Sequence, residues 1–124
     1  MVAVLIIDND LGLMFWLGKI LNEAGYAALP AKWASEAVDL MSENKIEADL
    51  LIINPSVPGV VKLVAELRRS RSGIKVIAST KVEGQTCSLP GIDHSLLKPL
   101  SADEALRSTW LQTIRELLRM DSAT

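Results

Sequence analysis

Short apolar runs that end abruptly in polar or turn residues constrain the fold of this chain more than any other feature. Residues 2–7 and 50–53 are continuously apolar, and residues 74–78 are apolar apart from Lys75. Runs of this length without alternation are typical of strands buried on both faces, as in a parallel sheet covered by helices. The sequence therefore predicts a central sheet of parallel strands.

Helical patterns fill the stretches between the first strands. Apolar residues recur at helical spacing over residues 13–24, and Gly25 ends that helix. A weaker strand is predicted over residues 26–29. The next helix is predicted over residues 34–44, and its inward-facing residues are Ala37, Val38 and Met41.

The same order continues to the end of the chain. Val60, Leu63, Val64 and Leu67 mark a third helix that closes near residues 72–73, and Leu96 and Leu97 form the core of a short fifth strand. Ser101 and Glu104 form a capping-box pattern for a last helix reaching about residue 120. With right-handed crossovers, this order predicts a doubly wound α/β fold with a five-stranded parallel sheet.

Composition restricts the class of protein. The 124 residues, 49% hydrophobic and 23% charged, suit a single globular domain over residues 1–124. A net charge of -2 provides no basic field for direct nucleic-acid binding. No apolar run approaches the roughly 20 residues needed to span a bilayer, so we expect no membrane partner. The one cysteine, Cys87, excludes an internal disulfide and is consistent with a cytoplasmic location.

Polar residues follow the predicted strands at the point where each strand ends. In doubly wound sheets, binding sites form beyond the carboxyl ends of the strands. The residues at those ends are Asp8, Asn9, Asp10, Asn54, Ser79, Thr80, Lys98 and Pro99.

These strand ends belong to five motifs that occur in a familiar order. The chain resembles the receiver domain of bacterial two-component response regulators over essentially its whole length, and this implies a flavodoxin-like (βα)5 fold. The motifs are LIIDND at 5–10, LNEAGY at 21–26, DLLIINPSVP at 49–58, VIAST at 76–80 and GIDHSLLKPL at 91–100.

The resemblance assigns a role to each strand-end position. In the family, an aspartate accepts a phosphoryl group, while two acids and a backbone carbonyl hold Mg²⁺, a hard ion that takes oxygen ligands. A lysine neutralises the phosphoryl oxygens, and a hydroxyl residue follows the phosphoryl group as the switch. The matching positions are Asn54 for the acceptor, Asp8, Asn9 and Ser56 for the metal, Lys98 for the lysine and Thr80 for the hydroxyl.

Two of these positions carry an amide where the family has a carboxylate. Asn54 is no useful nucleophile, and Asn9 removes the principal metal-binding acid, while Asp8 is retained with Asp10 alongside. We therefore expect weak or absent Mg²⁺ binding and no cofactor. We also expect Lys98 to pair with Asp8 and to hydrogen-bond Asn54.

The family's signalling surface is altered as well. The segment between the fourth and fifth strands, residues 81–91, is about four residues too short for the usual helix and contains Gly84 and Pro90. The sequence therefore predicts a shortened or missing helix there. Ser95 replaces the family's aromatic switch residue. The family couples the movement of that aromatic ring to the switch hydroxyl, here Thr80, and this chain lacks the ring.

The leading hypothesis is a pseudo-receiver, not an enzyme, that acts by protein–protein contact with a histidine kinase, an output domain or another regulator. The alternative is a working phosphoacceptor, in which Asn54 is an engineered replacement for aspartate or in which Asp8 or Ser56 accepts the phosphoryl group. A third hypothesis is a small α/β enzyme or ligand binder that holds a small molecule above Asn54, Thr80 and Lys98. No feature of the sequence favours the third.

Several remaining side chains have a structural or interface interpretation. His94 is predicted to be a surface loop residue, since no second histidine offers a metal site. Trp16 and Trp110 are expected in the core, and Phe15 and Trp33 are less easily buried. Leu111 and Leu118 widen the apolar arc of the last helix, which indicates a surface for a partner or for a homodimer; the alternative is simple variation at a packed edge.

Overall fold

The computed structural model describes residues 2–81, 92–98 and 104–122. The described residues form five strands, which are β1 (Ala3–Ile7), β2 (Ala27–Ala31), β3 (Leu50–Ile53), β4 (Lys75–Thr80) and β5 (His94–Leu97). They also form four helices, which are α1 (Leu11–Glu23), α2 (Ala34–Asn44), α3 (Val60–Ser70) and α4 (Glu104–Ser122).

All five strands belong to one parallel sheet in the order β2-β1-β3-β4-β5. This is the doubly wound, flavodoxin-like order, so the predicted fold class is confirmed. The predicted loss of a helix between β4 and β5 falls on residues 82–91, which lie outside the described residues. Cys87, Pro99 and Ser101 lie outside them too.

Two apolar layers hold the helices against the sheet. One layer, with α2 and α3, is built on Leu5, Ile7, Leu51 and Ile53. The other, with α1 and α4, contains Val4, Ile6, Leu50, Ile52, Ile77 and Trp110. Because side chains alternate along a strand, each apolar run serves both layers, which explains why β1 and β3 lack polar alternation.

Helix ends follow from local chemistry. The Asp10 side chain accepts a hydrogen bond from the Leu13 backbone N–H and so caps α1. Beyond its last turn, Gly25 adopts a φ of 89°, a left-handed conformation that glycine tolerates best. In the described helices, no segment is long and apolar enough to cross a lipid bilayer.

Some predictions about individual residues were wrong. Val38 was expected to face inward, but it is 43% exposed, and Ala37 provides the buried contact of α2. His94 is exposed as expected but is the first residue of β5 rather than a loop residue. Trp110 is fully buried, whereas Trp16 is half-buried and meets it edge-on with ring centroids 6.1 Å apart.

Candidate functional site

Four buried polar residues lie together at the carboxyl ends of the strands, and we call them the strand-end cluster: Asp8, Asn54, Ser79 and Lys98. They lie at the ends of β1, β3, β4 and β5. Side chains two positions apart share a face of the sheet, so the cluster lies on the face covered by α1 and α4. The residues two positions earlier, which belong to that layer, are Ile6, Ile52, Ile77 and Leu96.

Asp8 is the centre of this cluster. Its carboxylate is 1% exposed, and Oδ1 accepts hydrogen bonds from the Asp10 backbone N–H at 3.0 Å and from Asn54 Nδ2 at 3.2 Å. Oδ2 lies 3.2 Å from Ser79 Oγ and 2.8 Å from Lys98 Nζ. Both oxygens are thus occupied by donors from this chain, as a buried carboxylate requires.

Asn54 uses both halves of its carboxamide. Nδ2 donates to Asp8 Oδ1, and Oδ1 accepts from the Ser56 backbone N–H at 2.9 Å. The assignment of oxygen and nitrogen follows from these partners, because only the amide nitrogen can donate to a carboxylate. An aspartate in this position would place a second carboxylate oxygen about 3 Å from Asp8, where like charges repel.

Lys98 supplies the positive charge of the cluster. Its Nζ lies 2.8 Å from Asp8 Oδ2 and 3.7 Å from Asp10 Oδ2, while the residue is only 5% exposed. The 2.8 Å contact is an ion pair, although the Nζ group donates no well-aligned hydrogen bond to an atom of the described residues. The predicted pairing with Asp8 is therefore present, whereas the predicted hydrogen bond to Asn54 is absent among the described residues.

The remaining sequence-predicted residues lie around the cluster rather than inside it. Asp10 caps α1 and borders Lys98. Ser56 enters through its backbone N–H, since its side chain is exposed, and Asn9 is exposed. Ser95 lies half-buried in β5. Pro99 lies outside the described residues.

The hydroxyl that reaches the cluster is Ser79 rather than Thr80. Ser79 Oγ lies 3.2 Å from both Asp8 Oδ2 and the Ile53 carbonyl oxygen. Thr80 Oγ1 instead donates to the Leu96 carbonyl oxygen at 3.3 Å, toward β5. Strand alternation in the sequence could have identified Ser79. Neighbouring residues of one strand point to opposite faces of the sheet, so Ser79 and Thr80 cannot both face the cluster.

The oxygen donors of the cluster do not fit Mg²⁺. Asp8 is the only carboxylate among the four side chains of the cluster. The Lys98 ammonium lies 2.8 Å from it, and its positive charge would repel a metal ion bound at the same oxygen. Within residues 2–81, 92–98 and 104–122, no group of three or more His, Cys, Asp or Glu residues is placed to hold a metal ion.

A pair of exposed apolar side chains lies on the helix that begins at the cluster. Leu11 is 61% exposed and Phe15 is 82% exposed, and residues four apart on a helix are neighbours. The Asp10 cap connects this surface to Asp8, because Asp10 donates its backbone N–H to the Asp8 carboxylate.

Comparison with known proteins supports the receiver fold. No protein-family model matches the chain. The two-component response regulator ARR14 of Arabidopsis thaliana is 27% identical over 119 residues, which cover 90% of this chain but 31% of that protein. The chain thus spans less than a third of this curated relative.

Solved structures match over nearly the whole chain. A response regulator receiver domain protein from Clostridium thermocellum superposes with a TM-score of 0.78 at 17% identity, covering 99% of this chain and 98% of that one. A chain from the complex of histidine kinase ThkA with response regulator TrrA of Thermotoga maritima superposes with a TM-score of 0.71 at 22% identity. The match covers 95% of this chain and 99% of that one. At these identities the matches show the fold alone.

Proposed function

We propose that this chain, which has the receiver fold of two-component response regulators, is a pseudo-receiver that signals by protein–protein contact without an acyl phosphate at Asn54. In this proposal it is not an enzyme, and its strand-end cluster is permanently in one charge-compensated state. A receiver without a nucleophile at the acceptor position retains its binding surfaces but loses the phosphoryl group as the input.

The observation that carries the proposal is the hydrogen bond from Asn54 Nδ2 to Asp8 Oδ1 at 3.2 Å. In the family, carboxylates at positions 8 and 54 would face each other and need a cation between them. Here the Asn54 amide donates a hydrogen bond to Asp8 at that place. With Lys98 on the other oxygen at 2.8 Å, the carboxylate is satisfied without metal. We therefore propose that Mg²⁺ binds weakly or not at all.

We further propose that the Leu11–Phe15 pair on α1 takes part in docking a histidine kinase. An exposed phenylalanine beside an exposed leucine loses solvent contact when a partner covers it, and buried apolar area stabilises complexes. TrrA, which shares the fold of this chain, has been solved bound to a histidine kinase.

A homodimer through α4 has less support. Leu111 and Leu118, which motivated it, are partly buried against the layer that contains Trp110. Side chains already packed on the core leave less apolar area for a second copy.

Incubation with Mg²⁺ and a small phosphodonor such as acetyl phosphate tests the absence of phosphorylation. We expect the intact mass of the chain to be unchanged after treatment. A stoichiometric phosphoryl adduct would contradict the proposal. Its mapping to Asp8 or Ser56 would support the alternative phosphoacceptor instead.

Restoring the family charges tests the metal proposal. The double substitution Asn9→Asp with Asn54→Asp should raise Mg²⁺ affinity strongly, because it rebuilds a three-carboxylate cluster with Asp8. Mg²⁺ titration of the variant and of the unmodified chain measures this. Equal, weak binding in both would mean that the shape of the site, not its charge, excludes the ion.

Binding to purified histidine kinase dimerisation domains tests the docking surface. Phe15→Ser should weaken binding about tenfold or more, as expected for an apolar residue at an interface centre. Val61→Ser is the matched control, since Val61 is also an exposed apolar residue but lies on α3. Equal weakening by both substitutions would argue against docking through α1.

A further inference from the structure

We propose that the outer surface of α2 and α3 is a self-association surface, through which two copies of this chain pair about a two-fold axis parallel to the two helices. The acidic outer stripe of α2 in each copy then faces the basic outer stripe of α3 in the other. This inference goes beyond the proposed signalling function and does not depend on it, because it rests on the charges of the two helices and not on the strand-end cluster.

The outer stripe of α2 is acidic. Glu36, Asp39 and Glu43 follow one another at spacings of three and four residues, so they lie on one face of the helix. Asp39 and Glu43 are exposed, and Glu36 is partly exposed. Ala37 lies off this stripe and is buried in the layer under α2 and α3. The sequence of α2 contains no lysine or arginine, so nothing within the helix balances the acids.

The outer stripe of α3 carries the opposite charge. Lys62 and Arg69 are exposed and seven residues apart, which brings them to the same face of the helix. Glu66 is the one acid of this helix, so the stripe remains positive overall. Within residues 2–81, 92–98 and 104–122, no ion pair joins Lys62 or Arg69 to an acid of the same chain. Both cations are thus available to a second copy.

The two helices lie side by side at the same height on one face of the sheet. At their first turns, a Cβ atom built at Gly59 would lie 3.4 Å from the Cβ atom of Ala34. At their last turns, both helices line one cavity of about 440 Å³, with Met41 from α2 and Leu67 from α3. Both connect parallel strands and therefore run in the same direction. Residues at equal distances from the two helix starts therefore lie level with each other.

The opposite charges match in register. Glu36 and Lys62 are each the third residue of their helix, and Glu43 and Arg69 are each the tenth. A two-fold rotation about an axis parallel to the helices keeps their direction and exchanges left and right, so α2 of one copy lies over α3 of the other. Glu36 then faces Lys62 of the second copy, and Glu43 faces Arg69 of the second copy.

An apolar side chain lies near the middle of this surface. Val38 is 43% exposed and follows Ala34 by four residues, so it lies on the side of α2 that is turned toward α3. The two-fold axis runs between the helices, and Val38 of both copies therefore lies close to it. Protein interfaces usually have such an apolar centre with charged residues around it. A net charge of -2 gives little overall repulsion between two copies.

Analytical ultracentrifugation of the full chain over a concentration series tests the self-association. At low salt we expect the mass to rise from the 13.5 kDa of one chain toward twice that value. The dissociation constant should increase about tenfold or more near 1 M NaCl, where the screening length falls to about 3 Å. A monomer at all concentrations up to about 1 mM would overturn the proposal and would leave the proposed signalling function unaffected.

Charge reversal at one contact tests the arrangement. Glu43→Lys should weaken the dimer at least about tenfold, because like charges then face each other at two symmetry-related contacts. Glu116→Lys is the matched control, since it changes the net charge equally at an exposed residue of α4, on the other side of the sheet, and it should leave the association unchanged. Equal weakening by both substitutions, or a dimer unaffected by Glu43→Lys, would overturn the proposal.

Mixing two variants tests which charges meet. Arg69→Glu alone should also weaken the dimer at least about tenfold, because two acids then face each other. An equal mixture of the Glu43→Lys and Arg69→Glu chains should associate to within about threefold of the unmodified chain, since both contacts again join opposite charges. Both substitutions are at exposed positions, and circular dichroism checks that the variants are folded. A mixture of folded variants that stays monomeric would overturn the proposal.

Discussion

Asp8 and Asp49 make the same kinds of contact at opposite ends of two neighbouring strands, β1 and β3. Asp8 follows β1 and accepts a backbone N–H from Asp10, with Lys98 at 2.8 Å. Asp49 precedes β3, accepts the Ala3 backbone N–H at 2.9 Å and pairs with Arg71 at 2.9 Å.

Burial separates the two carboxylates. The side chains of Lys98 and Asp8 are 6% and 1% exposed, whereas those of Arg71 and Asp49 are 33% and 27% exposed. Water can solvate a member of the Asp49 pair when its partner is lost, but not a member of the Asp8 pair. The comparison indicates that the ion pair at the amino ends of the strands is a replaceable surface contact, whereas the similar pair at their carboxyl ends is an obligatory part of a buried cluster.

The largest difference is expected when each cation is removed. Lys98→Met should lower the free energy of unfolding by about 3–5 kcal/mol, because it leaves the Asp8 charge buried without a cation. Arg71→Met should cost only about 1 kcal/mol, since Asp49 remains partly hydrated. Urea unfolding of both variants measures the difference, and equal losses would remove the distinction between the two pairs.

The second largest effect is expected from charge at the acceptor position. Asn54→Asp without metal should destabilise the protein by roughly 2 kcal/mol, because a donor to Asp8 becomes a second carboxylate. Asn44→Asp, at the exposed last residue of α2, removes only a solvent-exposed hydrogen bond to the Leu40 carbonyl oxygen and should cost less than about 1 kcal/mol. Thermal unfolding in the presence of a chelator compares them, and a fully stable Asn54→Asp variant would show that another cation compensates.

A smaller effect is expected from the hydroxyl. Ser79→Ala should cost about 1–2 kcal/mol, because Asp8 Oδ2 loses a donor in a buried site. Ser70→Ala is the control, since Ser70 is exposed and its hydroxyl donates to the Glu66 carbonyl oxygen of its own helix. This substitution should change stability by less than about 0.5 kcal/mol. Equal shifts of the denaturant midpoint for both variants would mean that the Ser79 hydroxyl does not stabilise the buried Asp8 carboxylate.

The smallest effect is expected from salt. Raising ionic strength toward 1 M shortens the screening length to about 3 Å, so the cost of Arg71→Met should shrink by a few tenths of a kcal/mol. The cost of Lys98→Met should remain nearly constant, because ions do not enter a buried pair. Parallel unfolding curves at low and high NaCl provide this measurement, and equal sensitivity would mean that solvent reaches Asp8.

Much of the fold could be predicted because it depends on local patterns. The apolar runs of β1 and β3 and the helix over 34–44 occur where the sequence placed them. Val38 was misplaced because a short helix with few apolar residues has an ambiguous inner face, which only its contact with the sheet decides. His94 was misplaced because edge-strand residues lack the apolar run that marks a buried strand.

The sequence by itself determined which chemical groups stand at the strand ends: the Asp8 carboxylate, the Asn54 amide and the Lys98 amine follow from motif position. The sequence also predicted the Lys98–Asp8 pair, whereas tertiary structure alone decided the other contacts of the cluster. Asn54 donates to Asp8 instead of bonding Lys98, and Ser79 rather than Thr80 reaches the cluster. The physical reason is that pairing depends on sheet register and strand alternation, which bring residues far apart in the chain within hydrogen-bond distance.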